Sequence, residues 1–126
     1  MTPQHETIHA YAAAINALDA DAFADCFAAN CELNDPVGAP PSLGREGARA
    51  FFGAFAPLIS KVTIRPGRIY LNGDRAAFTW ALEAVGRGGQ FATAEGIDVF
   101  EFDAAGKIVR SHGFWNPGPF VAALTA

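Results

Sequence analysis

Asp35 stands in the stretch CELNDPVGAPP, where an extended run meets a proline-rich loop. The residue before a proline is crowded out of the helical region, so the Asp35 backbone is presented in a narrow range of directions. Pro36, Pro40 and Pro41 restrict φ along the loop, and Gly38 permits a bend that a Cβ would obstruct. A second carboxylate emerges when Phe91 to Phe102 is sorted by strand parity. One face holds Ala92, Ala94, Gly96, Asp98, Phe100 and Phe102, with Asp98 its one polar group and no Lys or Arg beside it. An ionised carboxylate there must find donors, or the group stays protonated. Tyr11 lies on the stripe Ile8, Tyr11, Ile15 and Leu18 of an N-terminal helix, which turns its phenol inward, where it needs a hydrogen-bond partner. A phenol and a neutral carboxylic acid aimed at one point form an oxyanion hole, and ionised Asp35 can then remove a proton from carbon. That is the equipment for enolising a ketone.

Each of these residues also has a structural reading. Asp, Pro and Gly are ordinary turn residues, so DPVGAPP can be only a turn. Asp98 can simply accept a hydrogen bond from neighbouring backbone or from Trp115. His5 and His9 share a helix face at a spacing that can hold a metal. No third ligand is evident, because His112 lies far along the chain and the pair falls off the apolar stripe, so both histidines read as solvated and no metal is expected. Cys26 and Cys31 read as two buried thiols on different elements.

The elements that must position these groups follow in chain order. Thr2 and Pro3 start a helix that runs to about Leu18. Asp19 or Asp21 caps a shorter second helix carrying Phe23 and Phe27 and ending near Ala29 and Asn30. A strand and the Asp35 loop come next, then a third helix beginning at Ser42 to Glu46 with Ala48, Phe51, Phe52 and Phe55 and closed near Pro57. The remainder reads as antiparallel strands. Pro66 and Gly67 mark a bulge or break, Asn72 and Gly73 a tight hairpin, and Phe78, Trp80 and Leu82 share one face of the returning strand. A last strand spans Ile108 to Trp115, and Asn116 to Pro119 end regular structure before a short apolar tail. Three helices followed by a meander predict an α+β domain in which N-terminal helices pack on a strongly curved, mainly antiparallel sheet. Such a sheet closed by helices forms a cone with an apolar cavity.

At 126 residues the chain, 1–126, reads as one domain, and with 51% apolar residues and eleven phenylalanines it can bury a large aromatic surface. A net charge of −4 with scattered basic residues argues against nucleic acid or an anionic membrane as the main partner. The start MTPQHETIHAY does not read as a secretory signal, and no window reaches the roughly 18 apolar residues of a membrane span. The chain therefore reads as cytoplasmic.

The stretches AYAAAINALDADAFADCFAANCELNDPVGAPPSLGREGARAFF and GIDVFEFDAAGKIVRSHGFWNP resemble ketosteroid isomerase, a branch of the nuclear transport factor 2-like (NTF2-like, SnoaL-like) fold. The separations of Tyr11, Asp35, Asp98 and Trp115 agree with that family's pattern, and the likeness covers nearly the whole chain. The resemblance implies that Asp35 moves a proton from C4 to C6 of a Δ5-3-ketosteroid while Tyr11 and protonated Asp98 hold the C3 oxygen of the dienolate. It implies no cofactor, a small apolar steroid-like substrate, and a homodimer joined through the outer sheet face. Trp115, Phe52 and Trp80 are the candidate substrate-binding walls, and each reads equally well as core packing. Family members commonly have tyrosine at the position of Phe52, and some at Phe27, so the hydroxyls that support the catalytic phenol are missing here. Two other functions compete. An epoxide hydrolase or polyketide cyclase of this fold would want an Asp, Arg, Asp cluster, which the inward strand faces do not offer, since Arg110 has the parity of His112 and Phe114. A noncatalytic carrier would bind the same apolar ligand without chemistry.

Overall fold

The computed structural model describes residues 2–126. Helix α1 (Pro3–Asn16) starts as expected: the Thr2 hydroxyl accepts from the His5 amide at 3.2 Å and Pro3 occupies the first turn. It ends two residues earlier than its apolar stripe predicts, because Leu18 takes a left-handed conformation with φ of 52°. The Asp19 amide then bonds to Ala14 O and the Leu18 amide to Ile15 O, both at 3.0 Å, which closes the helix in a Schellman turn built without glycine.

Asp19 caps α2 (Ala20–Asp25) by accepting from the Ala22 amide at 3.0 Å. Phe27 is not on this helix. The four-residue spacing from Phe23 imitates a helical face, but Phe27 opens strand β1 (Phe27–Asn34), pairs with Ile108 and is fully buried. The third helix begins within the expected stretch. Ser42 and Leu43 form a short strand, β2 (Ser42–Leu43), against Glu32 and Leu33, and α3 (Gly44–Phe55) follows from Gly44. A 3-10 turn (Ala56–Leu58) containing Pro57 closes it.

Strands β3 (Ile59–Asn72), β4 (Arg75–Gly86), β5 (Phe91–Phe102) and β6 (Ile108–Phe114) form the expected meander, with a register shift after Pro66; the tight turn falls at Gly73 and Asp74, one residue later than expected, because Asn72 itself pairs with Arg75. The sheet has the order β2-β1-β6-β5-β4-β3, and its pairings are antiparallel except that β1 runs parallel to β6. The chain does not end in an irregular tail. Pro117 takes the first turn of a helix, α4 (Pro117–Leu124), capped by Asn116, whose side chain accepts from the Gly118 amide at 3.3 Å. Proline and glycine read as breakers, but a proline in the first helical turn starts a helix because its missing N–H has no partner to lose there. Phe120 and Leu124, four apart, bury that helix against Ile59, Val62, Ala84 and Ala92.

The fold is thus α+β, helices packed on a mixed six-stranded sheet. Its main core joins Ile8, Phe23, Phe27, Phe78, Phe100 and Ile108. Cys26 and Cys31 are buried free thiols. His9 is exposed, and His5 places Nδ1 3.0 Å from the Thr2 hydroxyl. Among the described residues no helix is long and apolar enough to cross a membrane.

Candidate active site

The strand order brings the two aspartates together. Parallel pairing of β1 with β6 sets Asn34 beside His112, so Asp35, one residue on, leaves the sheet alongside Gly113. Gly113 in turn is the cross-strand partner of Asp98 on β5. The loop after Asp35 is tied down by the Val37 amide, which donates to Gly113 O at 2.8 Å. The glycine is required: a Cβ at position 113 would stand 2.7 Å from Asp35 Cγ and displace the carboxylate.

Asp98 lies on the face that strand parity assigns to it and is 3% exposed. Burial, and secondarily the charge of Asp35, push its carboxyl up to about 8, against the pull of the Trp80 indole and the Tyr11 hydroxyl beside it. Neither donor closes a hydrogen bond on Oδ1, which is sealed without a partner. Trp115 donates not to Asp98 but to Asp35, Nε1 to Oδ1, at 2.6 Å. Burial raises Asp35 to about 6, and the indole bond opposes that rise. At neutral pH Asp35 is therefore mainly charged and Asp98 mainly protonated. Tyr11, 6% exposed, is held well above the ordinary phenol value, first by burial and then by the two carboxyl groups, so it stays a neutral donor. Its ring sits among Phe23, Phe27 and Phe100, with centroids 5.2, 6.4 and 5.1 Å away. Phe52 stacks on Phe23 at 4.9 Å, so phenyl rings rather than hydroxyls stand behind the phenol.

All six residues singled out from the sequence, Tyr11, Asp35, Phe52, Trp80, Asp98 and Trp115, line one cavity between the helices and the sheet. Its volume is about 80 Å³. That is narrow against the roughly 300–1,000 Å³ of small-molecule sites. Leu18 and Phe120 also line it. Sequence reading missed Phe120 by treating its helix as a tail. It missed Gly113 too, although parity puts position 113 on the same inward face as Trp115. Arg110 points away, to Glu101 at 3.3 Å and Glu32 at 3.7 Å on the outer face.

Residues 8–111 match the family model described as a SnoaL-like domain. The chain belongs to that family. A relative of this SnoaL-like chain, the steroid Delta-isomerase of Nocardioides simplex, is 36% identical over 100 residues, 79% of each protein. Among solved structures, the epoxide hydrolase/cyclase-like enzyme SalBIII, described for its role in pyran ring formation in the polyether salinomycin, is 27% identical with a TM-score of 0.80 over 92% of both chains. RV0760c from Mycobacterium tuberculosis, in complex with estradiol-17β-hemisuccinate, is 20% identical with a TM-score of 0.81, covering 94% of this chain and 98% of its own. At that identity the last likeness speaks to the fold.

Proposed function

We propose that the protein is a steroid Δ-isomerase that moves the C5–C6 double bond of a Δ5-3-ketosteroid to C4–C5. The observation that carries this reading is the pair of aspartates on one apolar cavity, held to either side of neutral pH, with a neutral phenol next to the protonated one. The 36% identity to a steroid Delta-isomerase supports it. Asp35 removes a proton from C4 as the C3 carbonyl becomes a dienolate, with Tyr11 and Asp98–OH donating to the oxygen where negative charge develops. The same proton then returns to C6, so the reaction balances without a redox partner or cofactor. Substrate binding comes from burying flat apolar surface, each methylene contributing about 0.8 kcal/mol, against Trp115, Phe52 and Trp80.

The test is turnover of 5-androstene-3,17-dione. Asp35→Asn is expected to abolish it while the steroid phenol equilenin still binds. Undiminished turnover in that variant refutes the reading.

The likeness to SalBIII favours a second reading, in which Asp98 protonates an epoxide oxygen while Asp35 activates the attacking hydroxyl. Opening of a hydroxy-epoxide, with no exchange of ketosteroid α-protons, would select it. The same proposal includes a homodimer in the cytoplasm, the compartment that suits two free thiols. Exposed Tyr70, Phe91, Ile97 and Phe114 on the strands support the sheet as its contact. Gel filtration at low protein concentration tests the dimer.

A further inference from the structure

Two buried polar atoms beside this cavity have no hydrogen-bond partner: Trp80 Nε1 and Asp98 Oδ1. Trp80 is 6% exposed, so its N–H is shut away from bulk water. A phenylalanine would fill the same wall without burying an unpaired donor, which is unfavourable in a folded protein. The indole is also held in place. Trp80 pairs across the ladder with Gly96, where a Cβ would stand 2.7 Å from Trp80 Cζ2, and its ring meets Trp115 edge to face with centroids 5.4 Å apart. The two tryptophans therefore form a pair in which each indole N–H is addressed to a different aspartate. Trp115 closes its bond to Asp35, and Trp80 does not close one to Asp98.

We propose that Trp80 is a positioning residue that acts through Asp98: in the ligand-bound protein its N–H donates to Oδ1, leaving the carboxyl proton on Oδ2, aimed at the ligand oxygen. The two oxygens of a neutral carboxylic acid are not equivalent, since one carries the proton and the other accepts. A donor fixed on one of them settles which way the O–H points. Donor contacts that are long in an empty site commonly tighten when the ligand is bound. The need for such a fixture is concrete here, because Phe27 and Phe52 leave Tyr11 with no hydroxyl behind it and the acid side must hold its own geometry. The purpose of the aim rests on the isomerase reading, whereas the bond itself does not.

Trp80→Phe keeps an aromatic wall, smaller than the indole, and removes the N–H. In this variant kcat for 5-androstene-3,17-dione is expected to fall about tenfold, the loss of one aligned hydrogen bond, apart from the rise in KM that the smaller wall brings. The Asp98 titration, followed by carboxyl carbon NMR, is expected to move upward, since the lost donor also stabilised the carboxylate. In an Asp98→Ala background, which leaves no side-chain oxygen for the indole to reach, Trp80→Phe is expected to cost residual turnover only what the smaller wall costs, well short of tenfold. An unmoved Asp98 titration, or an equal loss in both backgrounds, overturns the proposal. The wild-type protein supplies a test that needs no variant. With two tryptophans in the chain, the Trp80 indole proton should shift downfield when equilenin binds while that of Trp115 stays near its bonded position, and a stationary Trp80 signal overturns the proposal as well. If the wild type turns over no ketosteroid, the isomerase reading fails while the titration and the indole signal still decide the role of Trp80.

Discussion

Asp35 and Asp98 lie on either side of Gly113, yet their surroundings differ in almost every respect. Asp35 belongs to a loop, is partly exposed and accepts a short bond from Trp115. Asp98 belongs to the middle of a strand, is sealed, and has an oxygen with no partner. Both are raised by burial, but the indole bond restrains one while the charge of the first further lifts the second. Two chemically identical groups are thus held at different protonation by the donors and charges placed around them rather than by burial alone.

The contrast can be broken or sharpened at several points. After removal of the base itself, the largest effect is expected from Tyr11→Phe, which leaves the oxyanion a single donor and should lower kcat about 10²–10³-fold with little change in KM. Gly113→Ala comes next: its methyl group displaces the Asp35 carboxylate, and a misplacement of about 1 Å is enough for roughly 10²-fold in kcat. Normal turnover in this variant would show that the loop re-seats the base freely. Third, the raised Asp98 pKa makes the fold lose stability as pH climbs from the unfolded carboxylate value near 4 to about 8, because only the unfolded chain gives up that proton in this window. Asp98→Asn removes the penalty. Its stabilisation relative to wild type, read from urea melts, should grow by about 1.4 kcal/mol per pH unit across that range and level off above it. The smallest effect is expected from Trp115→Phe. The kcat/KM profile of the wild type should be a bell with limbs near 6 and 8. Losing the donor on Asp35 should move the acid limb upward and leave the alkaline limb where it was.

Period-two sorting of β5 puts Asp98 on the buried face because side chains alternate along any strand, whatever it pairs with. Tyr11 is equally local, since three-and-four spacing fixes a helix face. These readings held. What could not be read was whatever depends on partners distant in the chain. The parallel pairing of β1 and β6 carries Asp35 to Gly113, and no short-range pattern announces it. Phe27 was misread because spacing from Phe23 cannot distinguish a helical face from a residue buried by a remote strand. Helix α4 was missed because Pro117 and Gly118 were weighed as breakers, whereas proline in the first turn after an Asn cap favours a start. The helices on a sheet and the inward faces that line the cavity were therefore legible from short windows, and the α4 wall and the placement of Asp35 against Gly113 were not.

Leu18 connects the fold's stability to its breadth of ligands. It closes α1 in a left-handed conformation that a branched side chain adopts at a cost of about 1–2 kcal/mol, where glycine would serve better, and that same side chain lines the cavity. An unstrained backbone and a filled wall are in opposition at this one position. Glycine here would relax the backbone but remove a leucine that packs on the core, so the strain relieved and the burial lost nearly offset, and the lasting consequence is a wider cavity.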